Sequence, residues 1–247
     1  MKTLTFGGGF LFILMKDVLS IVIPCKNEKI NIYECLEFIS KQKNIQGVKV
    51  IIADSSNEED SIHWLYKAKY DFMHILDIKI IEGGFPAKAR LEGSKLVTTP
   101  YILFLDADIV LIKSDVLSVV SQYKKDLISV TLCTEKKWNW VFDAFYIFQL
   151  LSIKLKSPFA VGAFQYWNTK KYWELGGYDP LDLFAEDYRL SSKCDPNNFL
   201  IHKTNGVYTS SRRFENKGIW YMFLIMVKSY LNRNNPDFFK KHHNYWN

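Results

Sequence analysis

The sequence has few cysteines, few prolines and no long uncharged run. Its 247 residues include only 4 cysteines and 7 prolines. Because the cysteines form no CxxC or Cys/His pair, neither a zinc site nor a disulfide framework is expected, and a reducing compartment is the simpler interpretation. The cysteines stand far apart, at Cys25, Cys35, Cys133 and Cys194.

The longest uncharged stretches are too short to cross a membrane. Thr3–Met15 and Ser157–Thr169 have 13 residues each, whereas a spanning helix needs about 20. The first stretch carries three glycines and no small-residue cleavage site follows it, so we expect no export signal. The sequence therefore predicts a cytoplasmic protein without a membrane span.

The composition indicates a folded protein with a basic C-terminal end. Hydrophobic residues make up 48% and charged residues 23% of the chain, which disfavours disordered and collagen-like classes. The net charge is +6, and the residues after Ser211 include 7 basic and 2 acidic ones. This asymmetry indicates either a solvated tail or an anionic partner such as phosphate or anionic lipid. No zinc-finger, RNP-like or helix-turn-helix pattern accompanies it, so nucleic acid is not expected.

The first half of the chain alternates apolar strands with helical segments. Near-continuous apolar strands separated by crossover helices indicate a parallel sheet covered on both faces. Predicted strands are Val18–Pro24, Val48–Asp54, Ile75–Ile81 and Tyr101–Asp106. Predicted crossover helices are Glu28–Lys41, Glu58–Tyr70 and Pro86–Leu96. The fold class is therefore α/β, with a Rossmann-like, mostly parallel central sheet flanked by helices.

The second half of the chain is less regular. Strands are predicted over Leu127–Cys133 and Ala160–Trp167, and helices over Trp138–Leu155, Thr169–Leu175, Glu186–Lys193 and Gly218–Tyr230. No repeat or flexible linker interrupts the chain, so we predict a single domain over residues 15–231. Residues 1–14 are predicted to be an N-terminal extension, and residues 232–247 a basic and aromatic tail.

Polar residues follow the predicted strands, at the sheet edge where open parallel sheets bind ligands. Asp106 and Asp108 carry the sharpest signal, because side chains two apart on a strand point to the same face. Paired carboxylates suit Mg²⁺ or Mn²⁺ held together with substrate phosphates. A lone DxD is also compatible with an ordinary solvated loop.

The polar segments occur in an order that resembles family 2 glycosyltransferases, from about Val18 to Trp220. The resembling segments are Ser20-Ile21-Val22-Ile23-Pro24-Cys25-Lys26-Asn27-Glu28, Ile51-Ile52-Ala53-Asp54-Ser55-Ser56, Ala89-Arg90-Leu91-Glu92-Gly93, Tyr101–Asp108, Gly162-Ala163-Phe164, Leu175-Gly176-Gly177-Tyr178-Asp179 and Phe184-Ala185-Glu186-Asp187. Leu91 stands where the family commonly has asparagine. The resemblance implies a GT-A fold and a hexosyltransferase-type enzyme that inverts the anomeric centre.

The resemblance also implies roles for single residues. Asp108, together with Asp106, would hold a Mg²⁺ or Mn²⁺ ion. Asp187 would be the general base that takes the acceptor's proton, with Glu186 positioning it or the acceptor. The nucleotide-diphosphate sugar would contact Pro24, Asn27, Glu28, Asp54, Arg90, Asp106 and Arg213. Arg212 or Arg213 would bind diphosphate oxygens, unless this basic segment is solvated or faces a membrane.

Two apolar helical segments bear on which acceptor the protein uses, but they do not decide it. Trp138–Leu155 and the segment from Ile219 to Val227 are too apolar for ordinary exposed helices, and basic residues flank both. They are either core or lie on an anionic membrane surface. A membrane location would favour a polyprenyl-phosphate or lipid-linked acceptor over a soluble glycan.

Two other functions remain compatible with the sequence. A sugar nucleotidyltransferase also places metal-binding carboxylates at a sheet edge, although no Gly-rich nucleotide loop follows the first strand. A noncatalytic module that binds nucleotide, glycan or membrane is the second, with Glu186 and Asp187 as an acidic first helical turn.

Overall fold

The computed structural model describes residues 5–6, 9–10, 14–212, 215 and 218–243. Within them the chain forms a seven-stranded sheet and two sheets of two strands each. The central strands are β3 (Leu19–Cys25), β4 (Lys49–Asp54), β5 (Asp77–Glu82), β6 (Tyr101–Leu105), β8 (Leu127–Val130), β9 (Phe164–Asn168) and β10 (Phe199–His202). The small sheets pair β1 (Thr5–Phe6) with β2 (Gly9–Phe10), and β7 (Ile109–Val110) with β11 (Tyr208–Thr209).

Helices connect and cover these strands. They are α1 (Met15–Val18), α2 (Ile30–Ser40), α3 (Glu59–Phe72), α4 (Pro86–Ser94), α5 (Val116–Val120), α6 (Asn139–Lys154), α7 (Thr169–Glu174), α8 (Glu186–Ser191), α9 (Ile219–Leu231) and α10 (Pro236–Phe239). Short 3₁₀ turns cover Lys136–Trp138 and Pro196–Asn198. Among the described residues, none of the helices has the length and apolar character that crossing a membrane requires.

The central sheet is mostly parallel, as predicted. Its strand order is β10-β8-β9-β6-β3-β4-β5. Strand β9 runs antiparallel to both of its neighbours, β6 and β8, and the other neighbouring strands are parallel. The sequence-based prediction of an α/β fold with helices flanking this sheet is confirmed.

Strand β3 lies inside the sheet, between β6 and β4, and its apolar residues alternate between two covered faces. Leu19, Ile21 and Ile23 belong to the core on the side of α2 and α3, whereas Val22 belongs to the core on the other side. Helix α4 approaches Val22 closely at Gly93, where an added Cβ would collide with the valine side chain. The glycine thus sets the distance between α4 and the sheet.

Several predicted boundaries are wrong, and the reasons are local hydrogen bonds. Strand β6 ends at Leu105, because the Asp106 carbonyl accepts a hydrogen bond of 3.2 Å from the Ile109 backbone N–H and closes a turn. The prediction that Asp106 and Asp108 point to the same face of a strand is therefore wrong. Strand β9 begins at Phe164 rather than Ala160, because the Ala160 carbonyl accepts from the side chain of Gln165 at 2.7 Å.

The C-terminal residues described pack against the rest of the protein. Phe239 in α10 is fully buried and contacts the cluster that contains Phe159 and Tyr188. The Leu183 backbone N–H donates to the Phe239 carbonyl at 2.9 Å. The predicted boundaries at residues 14 and 231 stay predictions, and most of residues 1–14 lie outside the described residues.

Candidate active site

A cavity of about 420 Å³ opens beside the carboxyl ends of the central strands. Its walls come from the segments that follow β3, β6 and β8, from the loop before β9, and from α6, α8 and α9. This is the edge at which parallel sheets gather polar residues and ligands. One end of the cavity is rich in carboxylates and the other end is apolar.

At the polar end, three carboxylates from distant parts of the chain face the same space. Glu28, Asp106 and Asp108 all line the cavity, and each side chain is about a quarter exposed. Arg212 lies between two of them, with its Nη2 3.3 Å from Asp108 Oδ2 and 3.4 Å from Glu28 Oε2. A cation therefore already bridges this carboxylate pair.

Arg90 is buried between the two predicted functional regions. Its Nη2 donates to Asp106 Oδ1 at 2.6 Å, and its Nη1 donates to the Glu186 carboxylate. Its side chain is 3% exposed, and its Nε has no partner among the described residues. Arg90 thus joins the end of β6 to the first turn of α8. The prediction that it contacts the donor stays a prediction, since its guanidinium holds two carboxylates in this structure.

Asp187 is held by the protein backbone on both of its oxygens. Oδ2 accepts from the Gly162 N–H and Oδ1 accepts from the Tyr188 N–H, both at 2.7 Å. Burial, reinforced by the negative charge of Glu186, raises the pKa of Asp187 to about 6, although Arg90 and the backbone donors oppose the shift. A fixed carboxylate with a pKa near neutrality is suited to accept a proton from a substrate.

Gly162 permits the close packing of these charged groups. A Cβ added there would lie 3.0 Å from Arg90 Nη2 and 3.2 Å from Asp187 Oδ2, tighter than normal contacts. The sequence placed Gly162 in a resembling segment but did not predict a role for it. The only signal was the glycine itself, before an apolar strand.

The remaining predicted donor contacts lie at the ends of β3 and β4 and in the loop that follows β3. Asn27 adopts a left-handed conformation, and its backbone N–H donates to Ser56 Oγ at 2.8 Å, while Asp54 Oδ1 accepts from the same hydroxyl at 2.7 Å. Pro24 is half-buried in β3, beside Ala53 of β4. Pro24, Asn27 and Asp54 do not line the cavity themselves, and Arg213 lies outside the described residues.

The polar end has the ligand chemistry for a divalent cation. In the described part of the chain, no group of three or more His, Cys, Asp or Glu side chains could hold a metal ion. Asp106 and Asp108 nevertheless supply two carboxylates, and Mg²⁺ is commonly bound by one or two carboxylates together with substrate phosphates. The residues therefore fit a metal that binds together with a phosphate-bearing substrate.

The sequence did not predict the apolar end of the cavity as a site. It predicted only that the two helices are either core or membrane-facing. Aromatic residues of α6 and aliphatic residues of α9 form the walls of this end. They are Phe142, Phe145, Tyr146, Phe148, Met222, Ile225 and Met226. Their helical spacing is visible in the sequence, but nothing in it shows that the two helices face each other.

Solved structures with the same architecture define the class. A mannosyltransferase from Pyrobaculum calidifontis, solved with GDP-Man and Mn²⁺, aligns with a TM-score of 0.66 and 16% identity over 92% of this chain and 68% of its own. S. aureus TarS in complex with UDP-GlcNAc aligns with a TM-score of 0.61 and 17% identity over 85% of this chain and 66% of its own. The protein has the GT-A fold of glycosyltransferases.

The sequence itself gives the family. The chain belongs to glycosyl transferase family 2, whose model matches residues 20–179. A poly(ribitol-phosphate) β-glucosyltransferase from Bacillus spizizenii is 31% identical over 93 residues, which is 36% of this chain and 14% of that protein. The match thus covers only a small part of this curated relative. The activity, donor and acceptor of the whole protein are therefore proposed below.

Proposed function

We propose that this protein moves a sugar from a nucleotide-diphosphate donor to an acceptor hydroxyl or phosphate, with inversion at the anomeric carbon. The observation that carries the proposal is the Asp187 carboxylate, held by two backbone N–H groups beside the Glu186–Arg90–Asp106 bridge. This arrangement couples a candidate base to carboxylates suited to a metal and a diphosphate. It supports a single centre for donor and acceptor.

The donor's diphosphate lies at the polar end in this proposal. Asp108 and Asp106 would hold Mg²⁺ or Mn²⁺, which supplies charge neutralisation for the leaving diphosphate. Glu28 lines the same end, and the loops that carry Pro24, Asn27 and Asp54 adjoin it and receive the nucleoside. Arg212 exchanges its carboxylate partners for phosphate oxygens, and Arg213 is a second candidate for that contact.

The proposed reaction is a single displacement. Asp187 takes the proton of the acceptor hydroxyl while the oxygen forms a bond to the anomeric carbon. The bond between that carbon and the diphosphate oxygen breaks with its electron pair, and the nucleoside diphosphate leaves from the opposite face. An acceptor phosphate that is already ionised has no proton to give and attacks without a base, and the protonated Asp187 carboxyl would then position it by donating a hydrogen bond to it. Arg90 and Glu186 fix the position of the base.

The acceptor in this proposal is a glycan, a polyprenyl-phosphate or a lipid-linked glycan. The curated relative is named for poly(ribitol-phosphate), which supports a polyol-phosphate or glycan acceptor. The apolar helices support a lipid-linked acceptor and a peripheral position on the cytoplasmic membrane face. The cytoplasmic location itself stays a prediction from the sequence.

The test is a binding and hydrolysis screen of UDP-, GDP-, dTDP- and CMP-sugars with Mn²⁺ or Mg²⁺. We expect one donor to bind only with metal and to release nucleoside diphosphate slowly, and both properties to be lost in Asp108→Ala. Asp77→Ala, an exposed carboxylate in β5, is the matched control and keeps them. Release of pyrophosphate would indicate a nucleotidyltransferase, and binding without turnover against any acceptor would indicate a noncatalytic module.

A further inference from the structure

The cavity contains an apolar compartment, away from the carboxylates to which the proposed function assigns the donor's diphosphate. On α6, Phe142, Phe145, Tyr146 and Gln149 line it, and on α9, Met222, Ile225, Met226 and Ser229 do so. In both helices the spacing is i, i+3, i+4 and i+7, which is one continuous helical face. The two helices contact each other through Val141 and Met222, and the cavity is lined by residues of their facing sides.

The compartment is continuous with the candidate base. Phe159 and Val161 line it on the approach to Gly162, whose backbone N–H holds Asp187. Gln149 is buried in the wall, and its amide already donates to the Phe159 carbonyl at 3.0 Å. The wall thus offers mostly apolar surface beside Asp187, a poor match for a hydroxyl-rich sugar chain and a good match for hydrocarbon.

The outer faces of the same helices are also apolar, and they are exposed. Trp140 and Leu151 of α6 are 58% and 49% exposed, and Trp220, Phe223 and Leu224 of α9 are 79%, 48% and 54% exposed. We call these five residues the outer apolar face. Exposed lysines flank the two helices along the chain, at Lys136, Lys137, Lys154, Lys156 and Lys228, and Lys137 pairs with Glu215 at 2.9 Å.

From these observations we infer that the acceptor is a membrane amphiphile, an inference that rests on the proposed function. Its apolar chain lies between α6 and α9, and its hydroxyl or phosphate head reaches Asp187. The protein takes it from an anionic bilayer that the outer apolar face contacts. Apolar side chains flanked along the chain by lysines match the interface of such a bilayer, where rings enter the lipid and ammonium groups meet headgroups. The helices that carry this face also wall the compartment, so the chain need not cross water.

The compartment is tested with a soluble amphiphile. Calorimetry compares farnesyl phosphate with methyl phosphate, which has the same head and no chain. Because each buried methylene raises affinity roughly four-fold, we expect farnesyl phosphate to bind at least about ten-fold more tightly to the wild type. Ile225→Asp places a charge in the compartment and should abolish this preference. Equal binding of the two phosphates by the wild type would overturn the inference.

Two further variants separate loss of the compartment from loss of the fold. Ile225→Trp fills the compartment without a charge, and it should lower the preference as well. Met73→Asp changes an apolar residue directly after α3 that is 59% exposed, and should retain the preference. A preference that survives in both Ile225 variants, with thermal melting showing them folded, would place the amphiphile elsewhere and overturn the inference.

The outer apolar face is tested with vesicles. Wild type and Met73→Asp should co-sediment with vesicles of phosphatidylcholine and phosphatidylglycerol at low salt, and less with phosphatidylcholine alone. Phe223→Asp should lose most of this binding while keeping its preference for farnesyl phosphate. Absence of wild-type binding to anionic vesicles would overturn the membrane source, and would indicate that a polypeptide covers this face.

Failure of the inference and failure of the proposed function give different results. Release of nucleoside diphosphate from the donor, measured on the wild type without any acceptor, reports only the donor end. If nucleoside diphosphate is released but farnesyl phosphate binds no more tightly than methyl phosphate, the proposed function is supported and the amphiphile acceptor is wrong. If no donor binds or turns over, the proposed function falls, and any amphiphile bound there is not an acceptor.

Discussion

The two ends of the cavity are built in different ways. At the polar end, hydrogen bonds fix each functional group: Arg90 spans Asp106 and Glu186, and backbone N–H groups hold Asp187. At the apolar end, side chains such as Ile225 and Met226 are only half-buried and line the space by van der Waals contact. Directed hydrogen bonds fix the geometry of the polar end, whereas non-directional packing leaves the side chains at the apolar end freer to adjust.

Removing the base should have the largest effect and is the strongest test of this contrast. Asp187→Asn removes the proposed proton acceptor and retains the shape of the side chain, although its amide nitrogen gives up one of the two backbone hydrogen bonds. We expect transfer to fall by about 10³-fold. Donor affinity, measured by calorimetry with metal, should stay within about two-fold, because the donor's diphosphate contacts other residues. Transfer at more than a tenth of the wild-type rate would show that another group takes the proton.

Breaking the ion bridge that Arg90 forms with Asp106 and Glu186 should have the second-largest effect, which is a loss of stability. Arg90→Gln leaves Asp106 and the buried Glu186 without their shared cation, which we expect to lower the free energy of unfolding by about 3–5 kcal/mol. Arg90→Lys should lose less of the free energy of unfolding, since an ammonium group retains the charge although it lacks the two donor nitrogens that contact separate carboxylates. Urea denaturation measures both. A loss below about 1 kcal/mol in Arg90→Gln would mean that the bridge does not hold the polar end together.

The rate of transfer should depend on pH through Asp187. Because burial raises its pKa from an ordinary 3.8 to about 6, transfer should fall about ten-fold per pH unit below 6 as the base becomes protonated. The same shift means that protonation of this carboxyl favours the folded state between about pH 4 and 6, so unfolding through this group does not cause the loss.

A matched carboxyl provides the control for this pH profile. Burial also raises the pKa of Asp182 to about 6, but Asp182 pairs with Arg189 away from the cavity. Asp182→Asn should therefore keep the acid limb of the kcat/KM profile. Disappearance of the limb in that variant would assign it to Asp182 instead of the base.

Crowding the polar end with an added methyl group should lower kcat several-fold. Gly162→Ala puts a methyl group within 3.2 Å of both Arg90 and Asp187, so we expect kcat to fall by about five- to ten-fold as the base shifts. Gly206→Ala is an equally crowded control, because its Cβ would lie 2.8 Å from Val116 at a distance from the cavity. It should lose stability and keep kcat. Equal kcat in both variants would show that the base tolerates displacement.

The smallest effect is expected at the apolar end. Phe142→Leu shortens a half-buried wall residue, and we expect about 1 kcal/mol of stability to be lost. The KM for the acceptor should change by only about two- to three-fold, with donor affinity unchanged. Steady-state kinetics and urea denaturation measure these effects. A loss of transfer as large as that of Asp187→Asn would remove the distinction between the two ends.

The sequence predicted those parts that depend on local pattern. The runs that became β3, β4 and β6 are apolar over nearly their whole length, so burial on both faces of a parallel sheet follows directly. The acidic start of α8 was likewise visible. What the pattern could not predict is which distant groups meet, because pairing across the fold depends on tertiary geometry.

Arg90 and the loops around it illustrate that limit. Arg90 and Glu186 are 96 positions apart, and the sequence predicted Arg90 only as a contact of the nucleotide-diphosphate sugar. Strand β7 and strand β11 have two residues each, too short for a periodic signal. The turn that brings Asp106 and Asp108 into the cavity is held by backbone hydrogen bonds from Ile109 to Asp106 and from Asp106 to Ala163, which residue types do not specify.

Phe239 has a consequence for the dynamics of the base. Its ring is buried against Tyr188, and its carbonyl holds the Leu183 amide, so α10 and the segment leading into α8 are tied together. Fluctuations that release α10 therefore expose the Leu183 amide at the same time, and the two regions should share one hydrogen-exchange rate. We therefore expect the segment before Asp187 to open at least as often as α10, which lies about 50 residues further along the chain.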